Sequence, residues 1–327
     1  MSGVRKPIAA IGAGRMGRGI AQVFAYGGHP VALIDLKPRS GADFARLAAE
    51  AKAEIESNLR ALAGEGVFDA ALVPAIMARI RAVPAADAAA ALADVELVWE
   101  GVPERIEDKA GALARLSALA PEAIIASTTS TMLVTELQRH VTRPERFLNA
   151  HFLNPAFLIP LVEISPSPST DEAVTRRLVA ILEAVGKVPV ICGASPGYII
   201  PRLQALLLAE SARMVHEGVA SAEEIDKAVR TGFGPRYSVM GPIEFIDYGG
   251  LDIAFYGCHY MAKALNSPRH APPPELDVLM KEGKRGLREG QGYYDWRGVD
   301  ADAYRRKRFG QFVRLFGHLG GLPKPVV

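Results

Sequence analysis

Through the first two hundred residues, short apolar runs alternate with longer stretches in which apolar side chains return every three or four positions. The runs at residues 7–11, 31–34, 80–83, 95–99, 123–126, 147–150 and 188–192 predict strands. Residues 15–26 predict a helix, as do residues 42–63, where Phe44, Leu47, Ala51, Ile55, Leu59 and Leu62 mark one buried face. The Ala-rich stretch 85–93 is most simply another helix. Strands alternating with helices imply an α/β fold with a doubly wound parallel sheet. Ser169-x-x-Glu172 and Ser221-x-x-Glu224 read as capping boxes that start two further helices. After Cys192 the pattern changes: Gly193-Ala-Ser-Pro-Gly197 reads as a junction, and the residues beyond it are mainly helical in pattern. A boundary near residue 194 divides an N-terminal domain, 1–194, from an all-helical C-terminal domain, 195–327.

Composition narrows the function classes. Of 327 residues, 49% are hydrophobic and 23% charged, which suits a folded globular chain and excludes a disordered or collagen-like one. The net charge of +2 supplies no bulk drive toward nucleic acid or anionic lipid, so a small-molecule partner is expected. Cys192 and Cys258 lie far apart outside any CxxC pattern, which suggests neither a disulfide framework nor a zinc site. No apolar run approaches the length of a membrane span, and the residues from Met1 to Pro7 leave no room for a signal segment. A cytoplasmic protein is expected.

Gly12-Ala-Gly14-Arg-Met16-Gly17 follows the first predicted strand and opens the first predicted helix. In that context the three glycines allow a tight turn, a close approach of backbone to a pyrophosphate, and close packing of helix on strand. Asp35 ends the next strand at about the distance from the last glycine at which a carboxylate takes a ribose 2′-hydroxyl. NAD is therefore favoured over NADP, with Lys37 and Arg39 close enough to soften the preference and FAD as the residual alternative.

His151 follows a predicted strand, and Glu163 lies twelve residues beyond it. A histidine can take the hydroxyl proton of an alcohol as hydride leaves the carbon, and a carboxylate on its other nitrogen fixes the tautomer. Spacing alone leaves open a core histidine and an unrelated surface acid.

The chain resembles the 3-hydroxyacyl-CoA dehydrogenase family over all but its last thirty or so residues. The resemblance is carried by Gly12-x-Gly-x-Met-Gly17, Val102-Pro-Glu104 with Lys109, Ser127-Thr-Thr-Ser130-Thr, His151-Phe-x-Asn154-Pro, Leu161-Val-Glu163 and Pro196-Gly-Tyr198. Further matches are Met240-Gly-Pro-x-Glu244-x-x-Asp247-Tyr, Gly250-Leu-Asp252 and Gly290-x-Gly-Tyr-Tyr294. It implies a Rossmann-type NAD-binding domain followed by a helical domain that forms a homodimer contact. Carried over by position, His151 is the general base and Glu163 its orienting carboxylate. Ser130 hydrogen-bonds the reacting oxygen, Asn154 lies close to the reacting centre, and Glu104 and Lys109 contact the cofactor. A solvated ion pair is the plain reading of those last two, and a turn hydroxyl that of Ser130.

Two departures bear on the substrate. Family members acting on CoA thioesters carry an Asn of the catalytic set where this chain has Pro201, which lacks both a side-chain amide and a backbone N–H. Gly232-Phe-Gly-Pro-Arg236 is similar to a segment of the lambda-crystallin, gulonate and carnitine dehydrogenase branch, whose substrates are free hydroxy acids. Arg236 could anchor a carboxylate there, or brace helix ends or a subunit contact. The expected activity is NAD-dependent interconversion of a 3-hydroxyacyl-CoA and its 3-keto form. The alternatives are a free hydroxy acid dehydrogenase and an idle, crystallin-like NAD(H) binder. The last segment, with Tyr304, Phe309, Phe312, Phe316 and Arg305-Arg-Lys-Arg308, predicts one more amphipathic helix. No metal is expected.

Overall fold

The computed structural model describes residues 5–321. Residues 1–4 and 322–327, at the outer ends of the two expected domains, lie outside the described residues. The chain divides into two compact units, the first running to Leu207 and the second from Leu208. The division falls inside the helix Ile200–His216, beyond the Gly-Ala-Ser-Pro-Gly segment.

The first unit is built on eight strands: β1 Ile8–Ile11, β2 Val31–Ile34, β3 Ile80–Val83, β4 Leu97–Glu100, β5 Ile124–Ser127, β6 Phe147–Phe152, β7 Leu161–Pro166 and β8 Val188–Ile191. Their order is β3-β2-β1-β4-β5-β6-β7-β8, parallel throughout except between β6 and β7. In β1 every residue is buried because the strand is covered on both faces. Ile8 and Ala10 pack with Phe24 and Ile20 of helix α1, Arg15–Tyr26, and with Ile55 and Leu59 of helix α2, Gly41–Gly64. Ala9 and Ile11 turn the other way, toward Leu113 and Leu116 of the helix Ile106–Leu119. Trp99 of β4 sits fully buried between Phe24 and Phe152, its ring 5.7 and 5.0 Å from theirs.

Four local expectations need correction. β7 is a strand that its apolar pattern did not announce, because prolines stand at its edges and Glu163 breaks the run between them. His151 lies within β6 rather than after a strand. The helix Glu172–Ala184 is capped by Asp171, whose carboxylate accepts from the Ala173 amide, because Ser169 is held in a turn by the Ser167 hydroxyl. Residues 85–93 split into a 3-10 turn, Ala85–Asp87, and a short helix, Ala88–Leu92. The Ser221 cap accepts from the Glu224 amide as expected.

The second unit is helical. Its Gly290-x-Gly-Tyr-Tyr turn is organised by buried Asp247, which accepts from the Tyr293 and Tyr294 amides and the Trp296 indole. The last helix, Ala301–His318, is tied down by Arg308 and Tyr304, both bonded to Glu244. Among the described residues no helix is long and apolar enough to cross a membrane, and no cluster of potential metal ligands occurs.

Candidate active site

A cleft of about 900 Å³ opens in the first unit along the C-terminal ends of the strands. Its wall includes Gly12, Gly14, Met16, Asp35, Glu104, Ser130 and Asn154. Gly12 has φ +90°, and a Cβ on Gly17 would stand 1.8 Å from the Gly12 carbonyl oxygen, so both positions are closed to larger residues. At Gly14 the opposite holds: a Cβ would meet nothing within 4 Å, leaving open space at the start of α1. Backbone free to be approached, at a helix N-terminus, suits a pyrophosphate. Asp35, 5% exposed, directly follows β2 on the same wall and is paired with Arg39. The residues present therefore fit a dinucleotide.

Glu104, on the cleft wall, also organises the turn opposite it. Its carboxylate accepts from the Thr129 hydroxyl, from the Ser130 and Thr131 amides at 2.9 and 3.2 Å, and from the Thr131 hydroxyl. Burial works against its ionisation, but these donors and the Lys109 ammonium outweigh it and hold the pKa below the ordinary carboxylate range. Glu104 thereby shapes the turn that presents Ser130 to the cleft. Lys109 is 1% exposed and absent from the cleft wall. Its ammonium contacts both oxygens of buried Glu100, at 3.1 and 3.2 Å, and Glu104 at 3.3 Å. Glu100, which no sequence motif singled out, also accepts from the Ser127 hydroxyl and the Val102 amide. A fully buried carboxylate needs such partners, and Lys109 supplies the countercharge.

His151 and Glu163 are directly opposed residues of the antiparallel pair β6 and β7. The imidazole Nδ1 lies 2.9 Å from Glu163 Oε2, and Glu163 is fully buried. The second carboxylate oxygen accepts from the Ile199 and Ile200 amides, at 3.0 and 2.7 Å, where the helix Ile200–His216 begins. One carboxylate thus orients the imidazole and satisfies two helix-start donors. Pro201 comes next, in the first turn of that helix, where a missing N–H costs nothing. No side-chain amide stands at that position.

Tyr198, which the sequence showed only as the last residue of a Pro-Gly-Tyr motif, is structural support for the site. Its ring stacks on His151, with centroids 5.4 Å apart and planes 7° from parallel. Its hydroxyl donates to the Thr129 carbonyl and accepts from the Asn149 amide, and burial pushes its pKa up. Its φ of +45° lies in the left-handed region that side chains rarely adopt. The signal available in the sequence was the glycine beside it, which marks a turn. Behind the Asn154 segment, buried Lys187 donates to the Ala156 and Ile159 carbonyls. Arg236 belongs to the second unit, where its guanidinium lies over the Phe245 ring at 4.5 Å.

Residues 7–195 match the family model described as 3-hydroxyacyl-CoA dehydrogenase, NAD binding domain, and residues 197–296 the one described as its C-terminal domain. The chain belongs to the 3-hydroxyacyl-CoA dehydrogenase family. This member is an NAD-dependent oxidoreductase. It is 35% identical over 302 residues to the mitochondrial hydroxyacyl-coenzyme A dehydrogenase of Homo sapiens, covering 89% of this chain and 91% of the human one. Among solved structures it is similar to the 3-hydroxyacyl-CoA dehydrogenase of Archaeoglobus fulgidus, with 29% identity, a TM-score of 0.76, and coverage of 97% and 100% of the two chains. It is also similar to an NAD+-dependent FHMPC 5-dehydrogenase, named for a pyridine carboxylic acid, with 28% identity, a TM-score of 0.68, and coverage of 98% and 100%.

Proposed function

We propose that this dehydrogenase interconverts a 3-hydroxyacyl-CoA and the 3-ketoacyl-CoA, with His151 as the general base of alcohol oxidation. The observation that carries the reading is the bond from His151 Nδ1 to Glu163, which leaves Nε2 of the ring to receive a proton. NAD, when bound, accepts the hydride. His151 takes the hydroxyl proton, and Glu163 stabilises the imidazolium that results. Ser130 and Asn154, on the cleft wall, support the reacting oxygen and the substrate beside it. Gly12, Gly14, Met16, Gly17 and Asp35 hold the dinucleotide, while Glu104 and Lys109 keep the Ser130 turn in shape.

A free hydroxy acid is the second reading. Pro201 supplies no amide for a thioester carbonyl, and the FHMPC dehydrogenase is named for a free carboxylic acid. Arg236 would then anchor the carboxylate. The second unit exposes Leu208, Ile253, Tyr256, Tyr260 and Val278, which supports a homodimer formed through it.

The test monitors NADH absorbance at 340 nm with acetoacetyl-CoA and, separately, free keto and hydroxy acids. Wild-type turnover of the thioester supports the first reading, and activity confined to free acids the second. In His151→Gln, kcat should fall roughly 10²- to 10⁴-fold while NADH still binds. Turnover within a few-fold of wild type would remove His151 as the base.

A further inference from the structure

The end of the cleft at Asp35 carries more positive charge than an NAD-specific site requires. A carboxylate at this place takes the ribose hydroxyls and repels a 2′-phosphate, while a nearby Arg accommodates one. Here both are present and paired: Arg39 Nε donates to Asp35 Oδ2. The Arg39 side chain is one-third exposed and lines the cleft, so it can leave that carboxylate without crossing packed core. Of the other cations on the wall, Arg15, Arg18, Lys37 and Arg115, the last two stand nearest Asp35 in the fold. Arg115 reaches over from the helix Ile106–Leu119, its guanidinium held by the Leu36 and Ala85 carbonyls at 3.3 and 3.0 Å. Lys37 is exposed beside Asp35. Neither Arg115 nor Lys37 forms an ion pair among the described residues. Asp35 is thus paired with Arg39, and two cations without an ion pair among the described residues remain near it, with Glu107 and Asp108 elsewhere on the wall.

We propose that this cleft accepts NADP(H) as well as NAD(H), with Arg39 as the residue that sets the choice. With an unphosphorylated ribose, Arg39 stays on Asp35 and leaves the second carboxylate oxygen for a hydroxyl. With a 2′-phosphate, the guanidinium turns to the phosphate, where its planar fork binds two oxygens, and Lys37 and Arg115 offset the remaining charge. The inference goes beyond the assigned cofactor and does not depend on the identity of the hydroxy substrate.

The test is equilibrium binding of NADPH and NADH, read from nicotinamide fluorescence without substrate, on wild type, Arg39→Ala and Asp35→Asn. Wild type should bind the two within about 30-fold of each other. Arg39→Ala should weaken NADPH roughly 10- to 150-fold more than it weakens NADH, the effect of one charge-assisted hydrogen-bonding partner. Asp35→Asn should shift the ratio toward NADPH. Wild type that binds NADH but holds NADPH more than about 30-fold weaker overturns the proposal. So does an Arg39→Ala that weakens both nucleotides equally, since Arg39 would then only brace Asp35. Failure of NADH itself to bind would instead bring down the dinucleotide assignment of the cleft.

Discussion

Tyr198 lies flat against the imidazole of His151, although the two are far apart in the chain, and the tyrosine hydroxyl reaches past the ring to the Thr129 carbonyl. The same side chain therefore limits the tilt of the histidine and secures the turn that ends in Ser130. Tyr198→Phe should keep the stack and lose the tether. A buried carbonyl without its partner costs about 1–3 kcal/mol, visible as a lower Tm, and the loosened Ser130 turn should lower kcat as well. An unchanged Tm would show that the hydroxyl does not hold the turn.

Glu163→Gln keeps the shape of the side chain and removes its charge. The imidazolium formed during oxidation then loses a charge-assisted hydrogen bond of roughly 1.5–3 kcal/mol, so kcat should fall about 10- to 150-fold. A variant with wild-type kcat at every pH would detach Glu163 from the chemistry.

Two glycines of one motif should respond in opposite ways. At Gly17 a methyl group would lie against the Gly12 carbonyl, a backbone atom that cannot move aside, so Gly17→Ala should destabilise the fold by several kcal/mol, about the upper range for a single substitution. At Gly14 the methyl group meets no protein atom. Gly14→Ala should leave stability within about 0.5 kcal/mol and weaken NADH binding, because the methyl group fills space the pyrophosphate needs. Thermal melts and NADH titrations on the two variants separate these effects.

Lys187 donates to two carbonyls of the segment after Asn154, and burial pushes its pKa down to about 8 from 10.5. Between those values the folded protein has released a proton that the unfolded chain still binds, so this group makes stability rise with pH. The contribution is fully present above the unfolded value and is lost as pH falls through about 8. The unfolding free energy of wild type minus that of Lys187→Met should therefore grow between pH 8 and 10.5, by up to about 3 kcal/mol. A difference that stays flat over this range would show that the amine titrates normally.

The strands of the nucleotide-binding half were legible because a strand buried on both faces is a continuous apolar run. β1 and β2 fall where such runs predicted them, the edge strand β3 is found at its predicted place although Arg81 is exposed, and α2 matches its three- and four-residue spacing closely. β7 escaped notice for the same reason in reverse: prolines at its edges and a glutamate at its centre hide it, yet Glu163 is buried because His151 and two amides satisfy it. Lys109 looked like a ligand-facing cation beside Glu104. Its burial against Glu100 depended on how closely the helix Ile106–Leu119 packs on β4, which no spacing within either segment reports.

What this chain's sequence determined by itself is local: the glycine spacing that opens a helix, the acid just after β2, and the periodicities that make strands and helices, since each depends on neighbours a few residues away. What the tertiary structure alone decided is which distant groups meet. The antiparallel register of β6 and β7 sets position 151 across from position 163, and the turn at Gly197 swings an aromatic ring onto that histidine. A one-residue slip of either strand would point one of the two side chains to the opposite face of the sheet, and that choice rests on the packing of the whole sheet rather than on any short run of residues.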